Sequence, residues 1–463
     1  MKKAIVTIIV LLGCGSFLSA FSSKGGPLSE AQSRIEKVRM REVTLKLVGP
    51  GDGGFAGVSG RAEMTGHQFL FGCNIFMFGK FPTAEENDRY LELWSDLFNY
   101  ATVPFYFAGY EPSPDETREA RLQKMSRWCV DRGIKVKGHP LVWHYPAGSP
   151  DWLPRDPQAV EKIHEERVRE LVAKFAPEIQ SWDVLNEPTV AWMYDTKVAD
   201  WINGIGPLAS SKKALDWAYE ANPEATLLIN DYNVRYDLWS ALGLLHPAKS
   251  IKHYLRPINH YPNSYYRLME DLKGRGGRYN AVGIQSHMHQ GGNWSMQELW
   301  NTCERYSGLG VPVHFTEVTV ISGQNKIMWP FNPEVNLPWP STKKGEAAQE
   351  EYVRDFYTLL FSHPSVEAIT WWDFSDRDAW MGAPAGLVRD DLSPKPAYET
   401  LLYLVKEKWW TDREGRFDDR GMMNLHGYCG DYLLHLEGET TPLPFSIDCS
   451  DENGMVIEIS VES

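Results

Sequence analysis

A chain of 463 residues exceeds one minimal domain and suits a single large α/β domain with a smaller attachment. Its 61 acidic residues outweigh 47 basic ones for a formal charge of -14, which argues against a nucleic-acid partner, since phosphate backbones demand a positive footprint. Aromatic residues make up 13%, with 18 Trp and 21 Tyr, many in polar stretches flanked by Gly and Pro, where ring faces are free to stack on sugars.

Lys2 and Lys3 precede an apolar run over residues 4–12, the layout of a short secretory leader and too short for a membrane span of about 20 residues. Two cleavage readings stay open. One cuts after Ala20; the other treats Leu11-Leu12-Gly13-Cys14 as a lipobox in which Cys14 carries a lipid anchor and becomes the mature N-terminus. Either way the protein is expected to be exported, whether secreted, periplasmic or anchored at the cell surface. Five further cysteines, Cys73, Cys129, Cys303, Cys429 and Cys449, lack metal-ligand spacing. Cys429 and Cys449 share the C-terminal segment and could pair; the other three are expected to be buried as small hydrophobes.

Residues 21–37 read as a tether and a short helix. VTLKLV and VSGRAEM then alternate with period two around a Gly-rich turn, the pattern of a β-hairpin at residues 43–64. From residue 68 strand-like and helical runs alternate. Candidate strands cover 68–71, 100–104, 136–141, 181–185, 226–229, 281–284, 311–316 and 368–372, with amphipathic segments between them. Eight such units predict a (β/α)8 TIM barrel spanning residues 68–410. After Trp410 short alternating runs such as DYLLHLEG make residues 411–463 an all-β segment. That segment is small to fold alone and the hairpin lacks a partner, so the two are expected to pack as one β accessory layer. It serves either as a structural cap or as a carbohydrate-binding surface.

Two strands end on carboxylates. SWDVLNEP at 181–188 alternates until Asn186-Glu187-Pro188, where proline cannot continue a ladder, and VPVHFTEVTV at 311–320 carries Glu317 near its end. Groups at the C-terminal ends of barrel strands face one another across the mouth, the rim where barrel chemistry collects. No helix-borne His pair or carboxylate cluster has the spacing of a metal site, and no cofactor is expected.

With GHPLVWH at 138–144, LLINDYN at 227–233, GIQSH at 283–287, WWDFSDRDAW at 371–380 and PKPAY at 394–398, these motifs fall in an order that resembles glycoside hydrolase family 10, the endo-β-1,4-xylanases, over residues 69–403. The resemblance implies a retaining hydrolase of a β-1,4-linked polysaccharide such as xylan or a substituted xylan; the chain is expected to act as a monomer without a cofactor. By similarity Glu317 is the nucleophile and Glu187 the acid/base, and Asn186 donates to the sugar's 2-hydroxyl. Gln285 and His287 resemble the pair that holds the nucleophile, and His139 and Trp143 the lining of the reacting sugar's subsite. Trp372 and Trp380 resemble the indoles that close over it, while Tyr232 and Asn233 lie toward the leaving group.

Three departures stand out. Where the family ends its second strand with a polar Glu, Asn and Lys, this chain has TVPFYFAGYEP at 102–112, which puts Pro104, Phe105 and Ala108 in those places and makes Phe105 a candidate of the glycone subsite. The loop after Trp143 reads HYPAGSP, and the Asp two residues past the nucleophile is Thr319. A subsite that trades hydroxyl-binding groups for rings loses discrimination. A β-glycosidase for another backbone or for shorter oligosaccharides therefore stays open, as does a carbohydrate-binding protein on a barrel scaffold.

Overall fold

The computed structural model describes residues 26–49, 55–234, 264–288, 292–324 and 339–461. The expected leader, its two cleavage readings and Cys14 lie outside them. Two strands, β1 (Met40–Val48) and β2 (Ser59–His67), lead into a barrel of eight parallel strands. These are β3 (Leu70–Asn74), β4 (Tyr100–Pro104), β5 (Lys135–His139), β7 (Ser181–Asn186), β8 (Thr226–Asp231), β9 (Ala281–His287), β10 (Val313–Thr319) and β11 (Val366–Trp371), with the two-residue β6 (Val142–Trp143) filling the seam beside β7. Each overlaps an expected strand, with ends displaced by up to three residues, as for β3 against the expected 68–71. β11 pairs with β3, and β5 with β7, which closes the cylinder.

The strands form where they do because both faces are buried: β7 and β10 are buried at every position, so near-continuous apolar runs replace the alternation of a one-sided sheet. Gly138 is required inside the barrel, since a Cβ there would collide with the Trp182 ring. Helices between the strands start on side-chain caps. Thr83 with Glu86 and Ser295 with Glu298 form capping boxes, and Asp156 accepts from the backbone N–H groups of Gln158 and Ala159 before an 18-residue helix opened by Pro157.

The C-terminal segment is all-β as expected: β12 (Asp412–Arg416), β13 (Met422–Tyr428), β14 (Gly430–Leu436), β15 (Leu443–Ile447) and β16 (Met455–Ser460). It does pack with the N-terminal strands, but those strands do not form a hairpin. β1 lies between β13 and β16 in one sheet, and β2 between β12 and β14 in another. Period-two patterning fixes which face of a strand is buried and says nothing of its neighbour. The apolar faces, Val43, Leu45 and Leu47 of β1 and Ala62 and Met64 of β2, join Leu425, Leu434 and Ile447 in one core continuous with the barrel.

Cys429 and Cys449 form a disulfide within this sandwich, and Cys73, Cys129 and Cys303 are free and buried, as expected. The sandwich sits on the end of the barrel where strands begin. Half-buried Arg39, just before β1, donates to the carbonyls of Phe361 (2.8 Å), His363 (2.8 Å) and Val366 (2.6 Å), at the foot of β11. His67 bonds the carbonyl of Val405 at 2.8 Å from the end of β2. The opposite end carries the site.

Candidate active site

At the end of β7 the chain turns through a left-handed residue: Glu187 has φ 56° and ψ 42°. Such a conformation costs a non-glycine residue about 1–3 kcal/mol and persists only where neighbours over-determine it. Here the Glu187 N–H donates to the Asn230 carbonyl at 2.7 Å. Buried Asp231 accepts from the Thr189 N–H (3.2 Å) and hydroxyl (2.8 Å), which pins the turn beyond Pro188. The strain directs the carboxyl over the barrel mouth.

Three donors meet that carboxyl. Gln285 Nε2 reaches Oε1 at 2.9 Å, Asn186 Nδ2 reaches Oε1 at 3.2 Å, and Trp143 Nε1 reaches Oε2 at 3.0 Å. Burial nevertheless dominates. It pushes Glu187 up to about 8, with the charges of Glu317 and Asp231 adding to the rise and the bonds from Gln285 and Trp143 opposing it.

Glu317 has the opposite balance. Burial raises its carboxyl, but His139 and His287 outweigh that and hold it below the ordinary carboxylate range. His287 Nε2 lies 2.9 Å from Oε2, Asn230 Nδ2 donates to Oε1 at 2.6 Å, and His139 Nε2 stands 3.9 Å from Oε1. Thr319 takes up the other nitrogen of His287, Oγ1 to Nδ1, at 2.7 Å. Asn230 also donates to Asn186 Oδ1 at 2.8 Å and accepts from the Thr316 hydroxyl at 2.5 Å. Through Asn186 and Asn230 the two carboxyl groups belong to one hydrogen-bond network.

The structure thus brings Glu187, Glu317, Asn186, His139, Trp143, Gln285 and His287 together, with one change of partner. Gln285, expected beside His287 on the nucleophile, bonds Glu187 and Asn186 (3.3 Å to the latter) instead. Trp372 is buried with its ring 5.3 Å from His139 and 5.8 Å from His287, and half-exposed Trp380 lies 4.6 Å from His287. Tyr232 is exposed near Glu187, whereas Asn233 donates its N–H to Asp231 at 2.8 Å and serves the turn.

Phe105 does not line the site. It is 0% exposed, packed at 4.9 Å on Trp182 and 5.0 Å on Phe175, because the chain at Pro104 directs it under the barrel rim. Its neighbour Tyr106 takes the place, 5.5 Å from His139, 5.6 Å from Trp143 and 5.9 Å from Phe76.

Sequence reasoning also passed over Asn230, although an Asn at the end of an apolar strand was the available signal. It passed over the buried pair of Lys137 and Asp183 (2.9 Å), whose Asp183 Oδ2 also holds His139 Nδ1 at 2.8 Å. Tyr145, in the loop that departs from the family, stacks on Trp143 at 4.7 Å and is 41% exposed. Among the described residues no group of His, Cys, Asp and Glu could hold a metal ion, and no helix is long and apolar enough to cross a membrane.

The model of Glycosyl hydrolase family 10 matches residues 107–403. Endo-1,4-beta-xylanase B of Thermotoga neapolitana is 28% identical over 343 residues, covering 72% of this chain and 86% of that protein. Anti-sigma-I factor RsgI6 of Acetivibrio thermocellus is 24% identical over 410 residues, and there the chain covers 46% of the relative's length. For Endo-1,4-beta-xylanase 2 of Arabidopsis thaliana the identity is 23% and the share 33%, so the chain spans less than half of these two relatives. Among solved structures, xylanase 10B from Thermotoga petrophila RKU-1 in complex with xylobiose superposes with a TM-score of 0.57 at 22% identity, over 74% of this chain and 95% of that one.

Proposed function

The chain belongs to glycosyl hydrolase family 10, and from that premise we propose that it hydrolyses a β-1,4-linked polysaccharide of the xylan type with retention, Glu317 acting as nucleophile and Glu187 as acid/base. The observation that carries this reading is the opposite displacement of two buried carboxyls in one hydrogen-bond network: Glu187 up to about 8, Glu317 below its ordinary range. A retaining pair needs one group protonated and one ionised at the same pH, and environments that push two carboxyls apart assign the roles.

In the first step a Glu317 oxygen attacks the anomeric carbon while the bond to the leaving oxygen breaks and that oxygen takes the Glu187 proton. A glycosyl ester on Glu317 results. In the second, the Glu187 carboxylate removes a proton from water, the water oxygen bonds to the same carbon from the opposite face, and Glu317 leaves as a carboxylate. Trp143 and Gln285 orient Glu187 throughout, and Asn230 and His287 orient Glu317.

A second reading, action on another β-linked backbone or on shorter oligosaccharides, is favoured by the ring of Tyr106 on the glycone side. Product analysis on plain xylan, decorated xylans and other β-linked polymers, with Glu317→Ala as the blank, decides between them. Oligosaccharides from plain xylan support the first reading, and release from another polymer alone supports the second. Activity equal to that of the blank on every polymer overturns both.

We further infer that residues 40–67 and 412–460 are an accessory module acting as a cap, since they pack at the barrel end away from the two carboxyls. Export is supported by the Cys429–Cys449 disulfide, because such bonds persist in oxidising compartments.

A further inference from the structure

The family's polar trio on the glycone side is gone, and its replacements bury a ring (Phe105) or carry no hydroxyl-binding group (Pro104, Ala108). Sugar recognition at a polar subsite needs donors and acceptors that are left unsatisfied when the sugar is absent. Two such groups stand beside the glycone wall, and the mechanism above uses neither.

The first is the Tyr106 hydroxyl. It has no hydrogen-bond partner among the described residues, and the side chain is half-buried between His139, Trp143 and Phe76. Burial, then the charges of Glu317, Glu187, Asp373 and Asp183, push this phenol well above its ordinary value, so it remains a donor throughout the working range. The same set of charges places it among the carboxylates of the reacting centre.

The second is Asp373, which directly follows Trp372 at the end of β11. One oxygen, Oδ2, accepts the Trp380 N–H at 3.1 Å; the other has no partner among the described residues. That bond anchors a loop in which Asp378 (φ 55°) and Met381 (φ 61°) are left-handed, and so holds Trp380 in place over His287. Asp373 is half-buried and within electrostatic reach of Glu317, and its carboxyl is pushed up to about 7, chiefly by burial.

We propose that Tyr106 and Asp373 form the glycone-recognition pair of this enzyme, the phenol donating to and the free carboxyl oxygen of Asp373 accepting from the hydroxyls of a neutral pyranose. The proposal rests on the hydrolase reading and names the sugar class it admits. A sugar with a free equatorial hydroxyl edge satisfies both groups. Above pH about 7, where Asp373 is ionised, a uronic acid in the same place meets the charges of both Asp373 and Glu317. Carboxylates facing a carboxylate discriminate by repulsion as well as by lost bonds.

The test uses 4-nitrophenyl β-xyloside, β-xylobioside, β-cellobioside and β-glucuronide, which share a leaving group and differ in the glycone. Tyr106→Phe keeps the ring packing, and Asp373→Asn keeps an acceptor for the Trp380 N–H. Each is expected to lower kcat/KM on the neutral glycosides by about tenfold, the worth of one such hydrogen bond. Asp373→Asn is also expected to narrow the gap between neutral and glucuronide substrates above pH about 7, where the wild-type carboxyl is ionised.

Titration of xylobiose and cellobiose into folded Glu317→Gln protein, with and without Tyr106→Phe, reads the same contact without turnover. Both variants within twofold of wild type on every glycoside that wild type cleaves overturns the pair and leaves the hydrolase reading standing. Wild type no faster than Glu317→Ala on all four glycosides and on the polymers overturns the hydrolase reading, and the pair falls with it.

Discussion

Gln285 donates to Glu187, not to Glu317: its Nε2 lies 2.9 Å from Glu187 Oε1. A donor on that oxygen favours the ionised form, so Gln285 restrains a pKa that burial drives upward. Gln285→Leu removes the donor and leaves the burial. The alkaline limb of kcat/KM is expected to move up by about one pH unit, the equivalent of one hydrogen bond to a charged group. A pH–rate profile of the variant checks this, and a shift of the acid limb instead would return Gln285 to the nucleophile.

The wild-type profile follows from the two carboxyls. With Glu187 as the proposed acid/base, activity needs it protonated and is expected to be lost as pH rises through about 8. With Glu317 as the proposed nucleophile, activity needs it ionised and is expected to be lost only as pH falls below the ordinary carboxylate range, because the Glu317 pKa is depressed. Glu317→Ala is expected to reduce turnover by at least about 10⁴-fold with the circular dichroism spectrum unchanged. Turnover within tenfold of wild type would remove Glu317 from the role.

Lys137 and Asp183 are both 0% exposed and 2.9 Å apart. Lys137→Met leaves the buried Asp183 charge with His139 as its one remaining polar partner among the described residues, at a cost of about 3–5 kcal/mol at neutral pH. The folded-state pKa of Asp183 is lowered, burial being outweighed by Lys137 and His139. Its stabilising contribution is therefore present above the unfolded-state pKa and lost as pH falls through the folded value. Urea titrations should show the gap between wild type and variant shrinking on acidification; a gap that is constant with pH contradicts the pairing.

The disulfide closes a loop of 20 positions in the sandwich, for which chain entropy gives about 3 kcal/mol. Replacing both cysteines by Ala is expected to lower Tm while leaving kcat at 25 °C within twofold, since the bond lies at the barrel end remote from Glu187 and Glu317. Thermal melts and initial rates read the two effects separately. A fall in kcat in step with Tm would tie the module to catalysis.

The barrel was legible because each strand is an apolar run stopped by a breaker, and the carboxyls because both fall at those stops. What escaped was direction and partnership. Phe105 and Tyr106 are adjacent aromatics after a proline that interrupts alternation, so period two could not say which ring faces the cleft. Gln285 sits on a strand end between two carboxyls, and sequence places it near both without choosing. β1 and β2 carry the right faces for a hairpin, yet their hydrogen-bonding edges are taken by strands about 400 residues downstream.

That last pairing has a temporal side. Lys46 on β1 meets Glu458 on β16 across 412 positions at 2.7 Å, so the strand made first is completed by nearly the last. During synthesis the barrel can close while β1 and β2 wait with open edges, exposed to pairing with other nascent chains. Contacts this distant in sequence are slow to form. The sandwich is thus expected to assemble after the barrel, and its assembly requires that the residues between its strands have been made.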